Sequence, residues 1–106
     1  MPVTSISNLD ELRKLIKTND RVIVKFGGGT CRNCHIMDSI YLKLSDENTN
    51  IIFLSVDIDT SEDIKQKYGI DSSPTFKFYE HSVEAGQVTG AIVCALNKGI
   101  KMLSAV

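Results

Sequence analysis

Apolar residues in this chain fall into two kinds of run, and the two kinds alternate. Short, nearly unbroken runs, Val22–Phe26 and Ile51–Val56, read as strands buried on both faces. Longer segments space their apolar residues three or four apart, as helices do. Leu9, Leu12, Leu15 and Ile16 make one helical face. Ile36, Ile40 and Leu44 make a second, with Met37 and Tyr41 beside them, and Ile92, Leu96, Ile100 and Leu103 a third. Val3–Ile6 predicts a short leading strand. Ser7 is the expected N-cap of the first helix, which carries Asp10 and Glu11 in its first turn and ends near Thr18–Asp20. A shorter helix is predicted over Ser61–Tyr68, capped by Thr60 and closed by Gly69. Phe76–Tyr79 predicts a strand, Glu80–Val83 a turn, and Glu84–Thr89 the returning strand of a hairpin. Gly90 then breaks the chain before a last helix over 92–104. Strand–helix alternation ending in a hairpin and a helix predicts an α/β domain: a mixed sheet of about five strands flanked by four helices.

Composition narrows the class. With 106 residues and 42% hydrophobic content, the chain is expected to form one domain, 1–106, around a real core. The net charge is −1, and no basic patch with interleaved aromatics occurs, so nucleic acid is not an expected partner. No apolar run approaches ~18 residues, so no membrane span is expected. The first residues, MPVTSISNLDELRK, lack the pattern of a secretory signal, and a cytoplasmic location is the expectation. Three cysteines, an odd number, do not suggest a structural disulfide framework.

The chemistry concentrates in Arg21–His35, RVIVKFGGGTCRNCH. A buried strand breaks at Gly27, Gly28 and Gly29, two thiols follow at Cys31 and Cys34, and a helix begins. Cys31 is expected at or near the first helical position, where unpaired N–H groups and the helix dipole favour a thiolate. In a reducing compartment such a pair points to redox chemistry or metal binding. Cys31–His35 also fits the C-x-x-C-H string of c-type haem attachment, but the buried strand before it and the missing export signal argue against haem. A zinc or iron–sulfur site would need ligands from a second chain, because one pair cannot fill four positions.

These residues, with the segment IIFLSVDIDTSEDIKQKYGI, the run Ser73–Phe76 and the glycine at Gly90, stand in the order and spacing of the thioredoxin family, which the chain resembles over nearly its whole length. The resemblance implies a thioredoxin fold and thiol–disulfide exchange. Cys31 would be the attacking nucleophile and Cys34 the resolving thiol. It also implies a cis peptide before Pro74 that shapes the site, with Ser73 and Gly90 contacting substrate chain. No bound cofactor is implied: electrons would come from NADPH through a thioredoxin reductase, for delivery to protein disulfides. A monomer is the expected state.

The departures from the family pattern matter as much. Where thioredoxins carry W-C-G-P-C, this chain has Thr30, Cys31, Arg32, Asn33 and Cys34, and it contains no tryptophan. The family's buried aspartate, a proton acceptor for the second thiol, falls at Lys25, which puts the resolving step in question. Lys25 is expected either to tune the site or to extend its ammonium to solvent beside the glycines. Ser39 stands where the family's helix is kinked by proline, so a straighter helix is expected. Positive charge from Arg32, His35 and Lys25 favours the thiolate. The expected potential is therefore less reducing than thioredoxin's, at about −270 mV, with a Cys31 pKa below the free value of about 8.5. His35 is expected to be solvated, His81 to lie in the hairpin turn, and Cys94 to be a small core residue. Asp57 and Asp59 read as turn and capping residues rather than metal ligands. Two other readings stay open: a redox-impaired binding or adaptor module on the same fold, and a glutathione-dependent, glutaredoxin-like enzyme.

Overall fold

The computed structural model describes residues 3–104. Its elements alternate as the apolar runs require. They are β1 (Val3–Ile6), α1 (Leu9–Thr18), β2 (Arg21–Gly27), α2 (Arg32–Glu47), β3 (Ile52–Asp57), α3 (Glu62–Tyr68), β4 (Thr75–Glu80), β5 (Val83–Thr89) and α4 (Val93–Ser104). The five strands form one sheet in the order β1-β3-β2-β4-β5, with β2, buried at every position after Arg21, at its centre. β1 and β2 run parallel to β3, β4 is antiparallel to β2, and β5 is antiparallel to β4.

Alternation along β2 divides the core in two. Val22, Val24 and Phe26 face Leu12, Ile16 and Ile64 of α1 and α3. Ile23 faces the other way, with Met37 and Tyr41 of α2, Phe76 and Phe78 of β4, and Leu96 and Ile100 of α4. Lys25 and Gly27 share this second face, so the sheet presents an ammonium and a bare backbone to α2 near the end of its central strand.

Several sequence expectations are corrected. Asn8, not Ser7, caps α1: its Oδ1 accepts the Glu11 N–H at 3.0 Å. Both residues are good caps, so propensity alone does not choose between them. α3 starts after Ser61, not Thr60, and no side-chain cap bond forms there. The Thr60 hydroxyl turns back to the Asp57 carbonyl at 3.3 Å. Gly69 closes α3 with φ 65°, as expected. The hairpin turn is shorter than Glu80–Val83: only His81 and Ser82 separate the strands, both with positive φ.

α2 is rotated relative to its expected face. Cys34, Met37, Tyr41 and Ser45 are its buried residues, while Ile36 is 55% exposed and Ile40 and Leu44 only edge the core. The two candidate stripes lie about 100° apart on the helix, and attachment of Cys34 to the sheet chooses between them. In α4, Leu96, Ile100 and Leu103 are buried as expected, but Ile92 lies before the helix and is exposed. Cys94 is exposed too, and so is not a core residue.

Tyr41 locks α2 onto the sheet. Its hydroxyl, fully buried, lies 2.7 Å from the Leu54 carbonyl on β3 and 3.1 Å from the Ile23 carbonyl on β2. Burial raises its pKa well above the ordinary phenol value, so it remains a donor throughout the working range. Tyr41→Phe removes that donor and leaves the ring. The expected loss is about 1–2 kcal/mol, read as a fall in Tm of roughly 4–16 °C. An unchanged Tm would show that the hydroxyl contributes nothing.

Candidate active site

The site forms where β2 ends and α2 begins. Cys31 is the N-cap of α2, and its Sγ accepts the backbone N–H of Cys34 at 3.1 Å. A cysteine here does the work usually done by serine or asparagine: it satisfies an orphan donor of the first turn. Its carbonyl takes the His35 N–H at 3.3 Å, and its own N–H bonds the Gly28 carbonyl at 3.1 Å. The sulfurs of Cys31 and Cys34 are bonded to each other, with Cα atoms 5.2 Å apart. The two sulfurs are unequal. Cys34 is 3% exposed, whereas Cys31 is only partly buried.

Gly27 explains the burial of Cys34. A Cβ on Gly27 would lie 2.6 Å from Cys34 Sγ and 3.2 Å from its Cβ, so only glycine lets the first turn of α2 rest on β2 here. Thr30, Arg32 and Asn33 are exposed around the pair. The peptide bond Ser73–Pro74 is cis. β4 pairs Thr75 with Phe26, which brings Pro74 beside the end of β2, at the same edge of the sheet as the cysteines. Gly90 donates its N–H to the Pro74 carbonyl at 2.8 Å and so joins this edge. Pro74 is buried and Ser73 partly open. Asp57 and Asp59 form a turn, with Asp57 Oδ1 accepting the Asp59 N–H at 2.9 Å. Cys94 lies in the first turn of α4.

Lys25 does not extend to solvent. It is 6% exposed, and its Nζ donates to Asp38 Oδ1. Asp38 is half-exposed, and its other oxygen lies 3.6 Å from His35 Nδ1. The opposite ring nitrogen of His35 lies 2.8 Å from the Gly29 carbonyl. His35 is thus exposed, as expected, with its ring against the Gly29 carbonyl. Asp38 is the functional candidate that sequence reasoning missed. The available signal was a lysine inside an apolar strand, which needs a counter-ion, and an aspartate one helical turn after Cys34.

A solvent-reachable sulfur at a helix N-cap, bonded to a buried sulfur in the same turn, defines a protein that exchanges dithiol for disulfide. The family model for thioredoxin matches residues 3–102, and the chain belongs to the thioredoxin family. It is 35% identical to the mitochondrial thioredoxin-3 of Saccharomyces cerevisiae over 101 residues, 95% of this chain and 80% of that protein. It is also 35% identical to a thioredoxin of Coprinus comatus over 96 residues, 89% and 91% of the two chains. The oxidised crystal structure of the yeast mitochondrial thioredoxin 3 matches this fold with a TM-score of 0.91 over 95% of each chain, at 35% identity. The protein is a thiol–disulfide oxidoreductase of the thioredoxin type. Among the described residues no group of acidic, histidine and cysteine side chains is placed to hold a metal, and no helix is long and apolar enough to cross a membrane.

Proposed function

We propose that the protein reduces protein disulfides, with Cys31 as nucleophile and Cys34 as resolving thiol. The observation that carries this assignment is the difference in burial, since a substrate disulfide can reach Cys31 but not Cys34. The Cys31 thiolate attacks one substrate sulfur, forming a mixed disulfide and releasing the other sulfur as a thiolate. Cys34 loses its proton and attacks Cys31, which forms the intramolecular disulfide and expels the second substrate thiolate; solvent protonates both products. Two electrons and two sulfurs are accounted for. Thr30, Arg32 and Asn33 frame the approach. Ser73, beside cis-Pro74, and Gly90 offer backbone to the substrate chain. NADPH electrons would return the disulfide to dithiol through a thioredoxin reductase, with no cofactor resident in this chain. The exposed, unpaired thiol of Cys94 fits a reducing compartment, and we place the protein in the cytoplasm, to be checked by its recovery in a cytosolic fraction.

Insulin reduction driven by NADPH and thioredoxin reductase tests this reading. Turnover that required glutathione instead would assign a glutaredoxin-like role, and no turnover with either would leave a binding module.

The charges predict the potential. Asp38 offsets part of the positive charge of Lys25, but the ammonium is buried and the carboxylate half in water, so the ammonium is screened less. With the N-cap hydrogen bond to Cys31 Sγ, the dithiol state is favoured. Equilibration against glutathione buffers, with Cys94 changed to Ser, should give a potential roughly 50 mV above thioredoxin's −270 mV or so, where 30 mV is worth about 1.4 kcal/mol. A value at or below that of thioredoxin would refute the charge argument.

A further inference from the structure

Resolution requires Cys34 to become a thiolate while buried, and burial alone disfavours the charged form. The residues facing Cys34 show how this chain offsets that cost. β2 and α2 meet as a ladder of three rungs. Gly27 backs Cys34, Lys25 backs Asp38, and the Ile23 carbonyl receives the Tyr41 hydroxyl. Two residues along a strand and four along a helix each advance about 6–7 Å, so the rung that holds the Lys25 ammonium is the one next to the rung that holds Cys34. The two neighbours of Lys25 in the sheet, Ser55 and Phe76, carry no charge. Asp57, the register partner of Gly27, takes the N–H of Asp59 instead.

We propose that Lys25 drives the resolving step: its buried ammonium stabilises the thiolate forming at Cys34, and Asp38 is the positioning residue that holds it there. His35 lies beside Asp38, with its ring against the Gly29 carbonyl in the loop that carries Cys31. The proton of the Cys34 thiol leaves to solvent, the thiolate attacks Cys31 Sγ, and the bond from Cys31 to the substrate sulfur breaks with its electron pair on the substrate. No carboxylate beneath the sulfur is required. A cation behind the sulfur lowers the energy of the same thiolate. This inference rests on the roles proposed above for Cys31 and Cys34, and it concerns only the second of the two steps.

The two steps separate in a stopped-flow reaction of the reduced Cys94→Ser protein with 5,5′-dithiobis(2-nitrobenzoate). The first thionitrobenzoate is released at a rate proportional to reagent as Cys31 attacks. The second is released at a reagent-independent rate as Cys34 resolves the mixed disulfide. Lys25→Met is expected to slow the second release at least tenfold or so, as loss of one charge facing a buried site implies. The first release should stay within about threefold of wild type, because Cys31 opens to solvent, where the charge is screened. Lys25→Arg keeps the charge and should resolve within about threefold of wild type. Asp38→Asn changes a half-exposed side chain at nearly constant volume. It should slow resolution by less than Lys25→Met does, because the ammonium keeps its charge and loses only its anchor.

Equal second-phase rates in wild type and Lys25→Met would overturn the inference and make the ion pair purely structural. A greater loss in Asp38→Asn than in Lys25→Met would overturn it as well, because Asp38 would then be the acting group. A wild-type protein lacking the first release would instead sink the assignment of Cys31. Circular dichroism melts show whether each variant is folded, and Asp38→Asn keeps the inference testable if the buried substitutions do not fold.

Discussion

Cys31→Ser should abolish insulin reduction, leaving at most about 10⁻³ of the wild-type rate, because exchange at a disulfide proceeds through a thiolate and serine supplies none at neutral pH. Cys34 cannot take over. It is buried beneath the first turn of α2, with its backbone N–H committed to residue 31. Serine at the N-cap can accept that same N–H, so the helix start is preserved and the loss is chemical. Cys34→Ser should behave differently. Attack by Cys31 survives, resolution does not, and the protein should accumulate as a mixed disulfide with substrate, visible by mass spectrometry after quenching with acid. Were Cys31→Ser to retain a tenth of the activity, the assignment of the nucleophile would fall.

Gly27→Val should cost about 3 kcal/mol of stability, near the upper end for forcing volume into a packed contact. The first added carbon alone would lie 2.6 Å from Cys34 Sγ, well inside contact distance, and valine branches at that carbon. β-Branching favours strands, but that preference spans only about 1 kcal/mol and cannot offset the clash. Relief requires α2 to lift from β2 at its first turn, which would separate Cys34 from its neighbours and strain the Lys25–Asp38 contact. Tm should fall by roughly 12–24 °C for a domain of this size. In whatever fraction folds, the Cys31–Cys34 disulfide should form more slowly in glutathione buffers. A variant with wild-type Tm would mean that the helix start is looser than its contacts imply.

Much of the architecture is legible along the chain, because strands and helices impose different periods on apolar residues. The buried run Val22–Phe26 marks the central strand, and the glycine break, the two thiols and the following helix mark the site. Local rules fail where two adjacent choices are equally good. Ser7 and Asn8 are both strong caps, as are Thr60 and Ser61, and a propensity rule cannot rank neighbours that cap equally well. In α2 two stripes of large side chains compete, and only docking of Cys34 over Gly27 settles the rotation in favour of Met37 and Tyr41. Ile92 continues the inward pattern of α4 and Cys94 reads as a small core residue, yet the packed part of that helix runs from Leu96 onward.

The environment of Lys25 belongs to the same class of hidden information. It lies thirteen positions from Asp38; a lysine in an apolar strand calls for a counter-ion, but no period or propensity says which carboxylate meets it. By itself the sequence determined the order of elements, the position of the thiols at a strand–helix junction, and membership of a redox family, because these depend on neighbours along the chain. Which sulfur is open, which face of α2 is buried, and which carboxylate meets the buried ammonium were decided only by the tertiary structure. Those features arise where β2 and α2 come into contact, and contact depends on distance through space.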